Sequence, residues 1–365
     1  MRVVVAMSGG VDSSAAAALL HQQGHEVIGV SLRLSRSDRP STPGRCCSPD
    51  DLEDARAVAD RLGFPFYVFE AVDLFEREVV RPFVGSYLAG ETPIPCMACN
   101  SQVKFGHLLE RARALGGKLA TGHYARIEEG PGGRRRLLRG VDHARDQGYF
   151  LYELGQEELA DLIFPIGSLT KAETREVARA AQLGTADKPE SQDICFIPDG
   201  DSAAFVARAA AREGRAPAPG RIVTSGGVQV GEHGGIHGFT VGQRRGLPVA
   251  TQARGGSKGH KLPLYVSEIR ASTNEVVVGG AEELERTSFE VAKASWIAGH
   301  PPSVDEELTV RVRHRHGGAP CKVEVRGEGF VVHALEPVRS PAPGQAAVLY
   351  RGEEIVGGGV IAARS

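Results

Sequence analysis

The chain has 365 residues, 41% of them apolar, with 43 lysines and arginines against 45 acidic residues and a formal net charge of −2. That length accommodates two or three domains with their own cores, and no apolar run is long enough for a transmembrane helix, so a cytoplasmic protein with no membrane partner is expected. The near-neutral balance excludes recognition of nucleic acid by global charge and leaves that task to local basic patches.

Val3-Val4-Val5-Ala6-Met7 reads as a buried strand and Ala15 to Leu20 as the helix after it, joined by the tight turn Ser8-Gly9-Gly10-Val11-Asp12-Ser13-Ser14. Paired glycines let backbone N–H groups approach an anion, serines add donors, and the helix N-terminus adds positive potential, so the turn is a phosphate cradle. It is not a Walker loop, which needs a Lys after its last glycine. Nor is it a dinucleotide fingerprint, which needs a third glycine where Asp12 and Ser13 stand. Asp12, at the start of that helix, suits an N-cap.

A second strand is expected over Glu26 to Leu32, a polar loop over Ser35 to Ser48, a helix from Pro49 to Leu62, a strand over Phe66 to Phe69 and a helix from Leu74 to about Leu88. Thr92 to Asn100 reads as a proline-stiffened loop displaying Cys96 and Cys99, Val103 to Leu115 as a helix, and Lys118 to Thr121 as a strand entering Gly122-His123. This alternation predicts an α/β fold with a doubly wound parallel sheet, whose ligands sit beyond the carboxyl ends of the strands, where Ser8 to Ser14 and Gly122 fall. Gly130 to Arg136 reads as a hairpin tip, and helices follow at Gln156 to Ile163 and Lys171 to Gln182. After Arg212 the helix signal fades, and alternating runs such as Glu275 to Val278 and Leu308 to Val312 predict a small connecting domain and a C-terminal β-barrel. The expected domains are 1–200, 201–279 and 280–365.

Six cysteines, Cys46, Cys47, Cys96, Cys99, Cys195 and Cys321, are too sparse for a disulfide scaffold and fit a reducing compartment. Cys321 reads as a small buried hydrophobe. Cys96-Met97-Ala98-Cys99 permits a zinc site completed by Cys46-Cys47 or Cys195, a redox pair, or sulfur chemistry shared between Cys99 and Cys195. An iron–sulfur cluster on Cys96, Cys99 and Cys195 is a further arrangement. With a structural metal, the chain reads as a non-catalytic RNA-binding protein. The basic residues available to RNA are Arg134 to Arg136, Arg139, Arg244, Arg245, Lys258, Lys261, Arg311, Arg313 and Arg315. A strand through the last three would present them on one side, with His314 and His316 on the other.

The Ser8 to Ser13 turn resembles the pyrophosphate-binding loop of the ATP pyrophosphatases. In chain order come Pro95-Cys96-Met97-Ala98-Cys99-Asn100 with Lys104-Phe105, Ala120 to Arg126, Asp146-Gln147 with Tyr149 to Tyr152, Ser191 to Ile197, Thr240 to Leu247 and Pro343-Gly344-Gln345. Together these motifs resemble the bacterial tRNA-specific 2-thiouridylases over nearly the whole chain. The resemblance implies a Rossmann-like sheet of the adenine nucleotide alpha hydrolase type, with ATP held by Ala6, Met7, Ser8, Gly9, Gly10, Val11, Asp12, Ser13, Leu32 and Gly122. Magnesium is expected with the triphosphate, at Asp12. Cys99 matches the family nucleophile and Cys195 the persulfide carrier, while Ile94, Pro95 and Cys96 match the segment that holds the target base.

Contacts to tRNA are implied for His123, Arg145, Asp146, Gln147, Arg313, His314 and Gln345. The chain departs from the usual family residues at Leu32 (Met), Ile94 (Asn), Arg145 (Lys) and His314 (Tyr). The implied activity is ATP-dependent 2-thiolation of the wobble uridine of tRNA: adenylation of the carbon-2 oxygen, then persulfide transfer, with release of AMP and pyrophosphate. A sulfur-donor protein such as a cysteine desulfurase relay is the implied partner of a monomeric enzyme. Another ATP pyrophosphatase, such as an amidotransferase-type ligase, is the nearest alternative and leaves the paired cysteines without a role.

Overall fold

The computed structural model describes residues 1–35, 49–189, 194–197, 199–249 and 263–363. Cys46 and Cys47 with most of the stretch expected as a loop, from Arg36 to Ser48, the Ser191-Gln192-Asp193 motif, and Lys258 and Lys261 lie outside the described residues.

Val3, Val4 and Val5 in β1 (Arg2–Ala6) are fully buried, Val4 in one core and Val3 and Val5 in another, as a strand covered on both faces requires. α1 (Val11–Gln22) follows, then β2 (Glu26–Arg33), α2 (Pro49–Leu62) and β3 (Phe66–Glu70). Ala15 to Ala18 of α1 are wholly buried, so small side chains allow this helix to lie close against its neighbours. A continuous helical stretch then runs through α3 (Val72–Phe75), a π-helical turn at Glu76–Val80 and α4 (Arg81–Leu88).

The expected loop over Thr92 to Asn100 is helical from its middle onward. α5 (Pro95–Ala98) opens it, a π-helical segment continues over Cys99–Leu108, and α6 (Leu109–Ala114) completes it. Pro95 is at the start of the helix, where its missing N–H leaves no bond unmade, so it begins a helix instead of preventing one.

β4 (Lys118–Thr121), the hairpin strands β5 (Ala125–Glu129) and β6 (Arg135–Arg139), α7 (Gln156–Asp161), β7 (Leu162–Ile163) and α8 (Lys171–Ala180) follow. The helix expected to reach Ile163 stops at Asp161, because Leu162 and Ile163 pair with Leu119 and Ala120 and extend the sheet. Thr170 and Glu173 cap α8 reciprocally. The sheet has the order β3-β2-β1-β4-β7, with every pairing parallel. Its two faces are covered by helices, α1, α2 and α8 on one side and the helix through Val103, Leu108 and Ala112 on the other.

After α9 (Ser202–Arg212), a middle module is built from β8 (Gly220–Thr224), β9 (Gln229–His233), β10 (Tyr265–Arg270) and β11 (Glu275–Gly279) in the order β10-β11-β8-β9, around Ile222, Val266, Val276 and Val278. The last module contains β12 (Glu285–Trp296), β13 (Leu308–Arg311), β14 (Ala319–Arg326), β15 (Gly329–Arg339), β16 (Ala346–Arg351) and β17 (Glu354–Ile361). Their order is β12-β15-β14-β13-β16-β17, and pairing of β17 with β12 closes the barrel.

The division at about residue 280 is crossed in space by the β5–β6 hairpin. Leu138 and Leu137 of β6 pair with Glu354 and Ile355 of β17, so the hairpin extends the barrel sheet. One apolar core accordingly contains Val4, Ile28 and Leu119 from the parallel sheet together with Ala346, Val348, Tyr350 and Ile355 from the barrel. Arg311, Arg313 and Arg315 do not share a strand, since β13 ends at Arg311. The Arg311 guanidinium turns inward, 3.9 Å from the Asp146 carboxylate and over the Tyr350 ring at 5.0 Å.

Ile355 is fully buried where hairpin and barrel meet. Ile355→Ala is expected to lower unfolding free energy by about 2–5 kcal/mol, measured as a reduced urea midpoint at unchanged native circular dichroism.

Candidate active site

The turn after β1 is tied to itself. Ser8 N–H donates to Ser13 Oγ at 3.1 Å, and the hydroxyls of Ser13 and Ser14 donate to Gly10 O at 3.1 and 2.9 Å. Gly10, not Asp12, is the N-cap of α1. Asp12 lies in the first helical turn, and its carboxylate accepts from Lys171 Nζ at 2.8 and 3.0 Å and from Tyr124 Oη at 2.9 Å. On the other flank Lys188 Nζ donates to Gly9 O at 3.0 Å and to Asp51 Oδ1 at 2.7 Å, and also pairs with Asp54. Burial opposes the charge on Lys188, but the hydrogen bonds and charges of Asp51 and Asp54 prevail and raise its pKa.

Lysine is therefore present at the cradle, delivered from the start of α8 and from the segment after it. Local sequence marks the N-terminus of α8 through Thr170 and Glu173, but nothing in the spacing aims Lys171, Lys188 or Tyr124 at the turn. Gly122 follows β4 directly; a Cβ there would lie 2.6 Å from Ser13 N, so only glycine lets this strand end approach α1. Leu32 is buried in β2, one residue from its end.

The thiols come from two segments. Ile94 is extended before α5, Pro95 and Met97 are buried, Cys96 is exposed, and half-buried Cys99 opens the π-helical segment. Cys195 is also half-buried, and the ring of Phe196 beside it packs edge-on against Phe75 at 5.6 Å and Phe83 at 5.2 Å. Cys99, Cys195 and Ala6 all pack against the core that holds Val4. The structure thus brings the end of β1 and both cysteines to one side of the sheet. Among the described residues, no three His, Cys, Asp or Glu side chains converge as ligands of a metal ion would. Cys321 is fully buried in the barrel, and burial pushes its thiol up to about 12.

Of the residues matched to tRNA contacts, Arg145 and Arg313 are exposed, Gln147, His314 and Gln345 are half-buried, and His123 and Asp146 are buried. The Asp146 carboxylate accepts from the N–H groups of Gly140 and Gly148, both at 3.1 Å, and from Arg139 Nε at 2.9 Å. His314 Nε2–H donates to Asp146 O at 2.7 Å, and its ring lies 4.7 Å from that of Phe150. Gln147 Oε1 accepts from Tyr124 N–H at 3.0 Å, and Gln345 Nε2 donates to Thr92 O at 2.7 Å. His123 Nδ1 is 2.7 Å from Thr121 Oγ1, with the rings of Phe105 and Phe164 around it. Burial, assisted by the charge of Lys104, holds its imidazole well below the ordinary histidine range.

A doubly wound α/β domain with a glycine–serine turn after its first strand, joined to a middle module and a closed β-barrel, is the class that this fold and site define. Three family models match in chain order: "tRNA methyl transferase HUP domain" over residues 1–199, "tRNA methyl transferase PRC-barrel domain" over 211–280 and "Aminomethyltransferase beta-barrel domain" over 286–361. The tRNA-specific 2-thiouridylase MnmA of Acidothermus cellulolyticus is 47% identical over 365 residues, covering 99% of this chain and 98% of that protein. Proteins of the same name from Solibacter usitatus and Sorangium cellulosum are 44% and 48% identical, covering 98% and 99% of this chain and 98% and 92% of their own lengths. The chain belongs to the tRNA-specific 2-thiouridylase family.

The buried, uncharged His123 makes stability depend on pH. Its native pKa lies below the unfolded value, so stability is complete above about pH 6.5 and falls as acid protonates the unfolded chain first. His123→Asn is expected to make the loss of melting temperature between about pH 7 and pH 5 shallower than in the unsubstituted protein, as measured by calorimetry.

Proposed function

We propose that this protein uses ATP to convert the wobble uridine of tRNA to 2-thiouridine. The observation that carries this reading is that Cys99 and Cys195 pack on the same core as Ala6, which ends β1 two residues before the Ser8 to Ser13 turn. A uracil carbonyl oxygen is a poor leaving group. Attack by that oxygen on the α-phosphate of ATP expels pyrophosphate and turns it into AMP, which sulfur can displace. The cradle amides and hydroxyls, with Lys171 and Lys188 beside them, are suited to the charge of the departing pyrophosphate. Magnesium keeps most of its ligands as water and phosphate oxygen, and the carboxylate of Asp12 would supply the protein's ligand to it. When bound, it neutralises triphosphate charge.

Sulfur is carried as a persulfide on Cys195, loaded by a sulfur-donor protein. Its terminal sulfur attacks carbon-2 and AMP leaves, giving a disulfide between the base and Cys195. The Cys99 thiolate then attacks the Cys195 sulfur, thiouridine departs, and a Cys99–Cys195 disulfide remains for an external thiol to reduce. The target base lies against Ile94, Pro95 and Cys96. Exposed Arg145 and Arg313 engage the RNA backbone, while buried Asp146 and His123 hold the surfaces around them.

The test is thiolation of a tRNA transcript with ATP, cysteine and a cysteine desulfurase, which delivers sulfur already at the persulfide level. Cys99→Ala and Cys195→Ala are each expected to abolish thiouridine formation while pyrophosphate is still released on tRNA addition, with AMP released once per enzyme in Cys99→Ala and retained on the base in Cys195→Ala. Full thiolation by either variant removes that cysteine from the mechanism. Lys171→Met is expected to slow AMP release by about 100-fold or more.

A further inference from the structure

Two sequence motifs, Thr240-Val241-Gly242-Gln243 and Pro343-Gly344-Gln345, take no part in the chemistry above, yet both reach Thr92. Thr92 N–H donates to Pro343 O at 2.8 Å, Thr92 O accepts from Gln345 Nε2 at 2.7 Å, and Thr92 Oγ1 donates to Thr240 Oγ1 at 3.2 Å. The amide, carbonyl and hydroxyl of one residue are thus all taken up by the barrel and the middle module. Gly344 has a φ of +84°, and a Cβ on it would lie 2.9 Å from Thr92 N, so only glycine closes this turn over the threonine. Two residues earlier, Gly90 lies against Ile236 and Ile269 of the middle module.

The chain just beyond Thr92 has little slack. Pro93 and Pro95 have ring-locked φ angles, each also restricts the residue before it, and Pro95 already belongs to α5. The position of Thr92 is therefore passed along a stiff segment to Cys96 and Cys99.

We propose that Thr92 is a positioning residue. Gripped by Thr240 and by the Pro343–Gln345 turn, it sets where the helix that begins with Pro95 presents Cys99, and so couples both β modules to the thiol. The functional part of this inference rests on Cys99 being the nucleophile; the mechanical part does not. A polar buttress of this kind acts on the placement of the thiol rather than on affinity for substrate.

The test uses the full chain with Thr92→Val, Thr92→Ser and Gln345→Met, each checked for native circular dichroism and melting. Without tRNA, iodoacetamide labelling is followed at Cys99 by peptide mass spectrometry, with exposed Cys96 as internal reference. Labelling of Cys99 relative to Cys96 is expected to accelerate about fivefold in Thr92→Val and in Gln345→Met, as loss of one hydrogen bond eases local opening, and to stay at the native rate in Thr92→Ser. In thiolation, kcat is expected to fall about fivefold in the first two, with KM for tRNA within about twofold.

Native labelling rates in both Thr92→Val and Gln345→Met overturn the proposal. So does a Gln345→Met protein with raised KM but unchanged kcat and labelling, which would make Gln345 an RNA contact instead. If Thr92→Val does not fold, Gln345→Met alone decides. If the unsubstituted protein thiolates no tRNA, the functional reading fails, and the labelling experiment still decides whether Thr92 holds the helix.

Discussion

The apolar core shared by the parallel sheet and the β-barrel is the constraint on which the rest of this molecule depends. Val4, Ile28 and Leu119 would be one wall of an ordinary α/β core, but here Ala346, Val348 and Ile355 of the barrel complete it. Burial of that surface is non-directional, and on its own it would allow the modules to slide. Register comes from directional contacts: the pairing of Leu137 with Ile355, and the hydrogen bond from Tyr149 Oη to Ala346 O at 2.9 Å. Between them these interactions determine where the cradle, the thiols and the exposed arginines stand relative to one another.

Near the hairpin, charge is turned inward. Asp146 gathers two backbone N–H groups and Arg139, with Arg311 nearby, and its own carbonyl receives His314. A carboxylate that is 2% exposed and so fully partnered orders the loop between the hairpin and Tyr149, leaving Arg145 and Arg313 at the surface. Beside the Ser8 to Ser13 turn, Lys171 is paired with Asp12, and Lys188 with Asp51 and Asp54 while also donating to Gly9 O, so each ammonium group at the turn is held by carboxylate partners.

Much of this was legible in the residues. The unbroken valines of β1, the glycine pair after them and the alanines of α1 specify a buried strand, a turn and a close-packed helix without tertiary information, and the parallel sheet follows from the repeating alternation. The helix at Pro95 was not legible as such, because proline both breaks and begins helices and the distinction lies in which residue comes first. Leu162 and Ile163 look in sequence like the end of a helix because two residues carry no period of their own; the free edge of β4 makes them a strand. Arg313 and Arg315 have the alternation of a strand, but the chain turns after Arg311, whose guanidinium is drawn to a buried carboxylate that no local pattern reveals. The roles of Lys171, Lys188 and Thr92 depend on partners distant in sequence, and spacing does not carry that information.

The attachment of the β5–β6 hairpin to the barrel bears on how such a chain can be taken apart. A fragment ending near residue 200 would retain every strand of the parallel sheet, yet β6 would lose its partner in β17, and one wall of the core would face water. An unpaired strand edge next to bared valine and leucine is a template for self-association. The α/β domain is therefore a unit of architecture without being a unit of folding, because that one seam leaves it incomplete without the barrel.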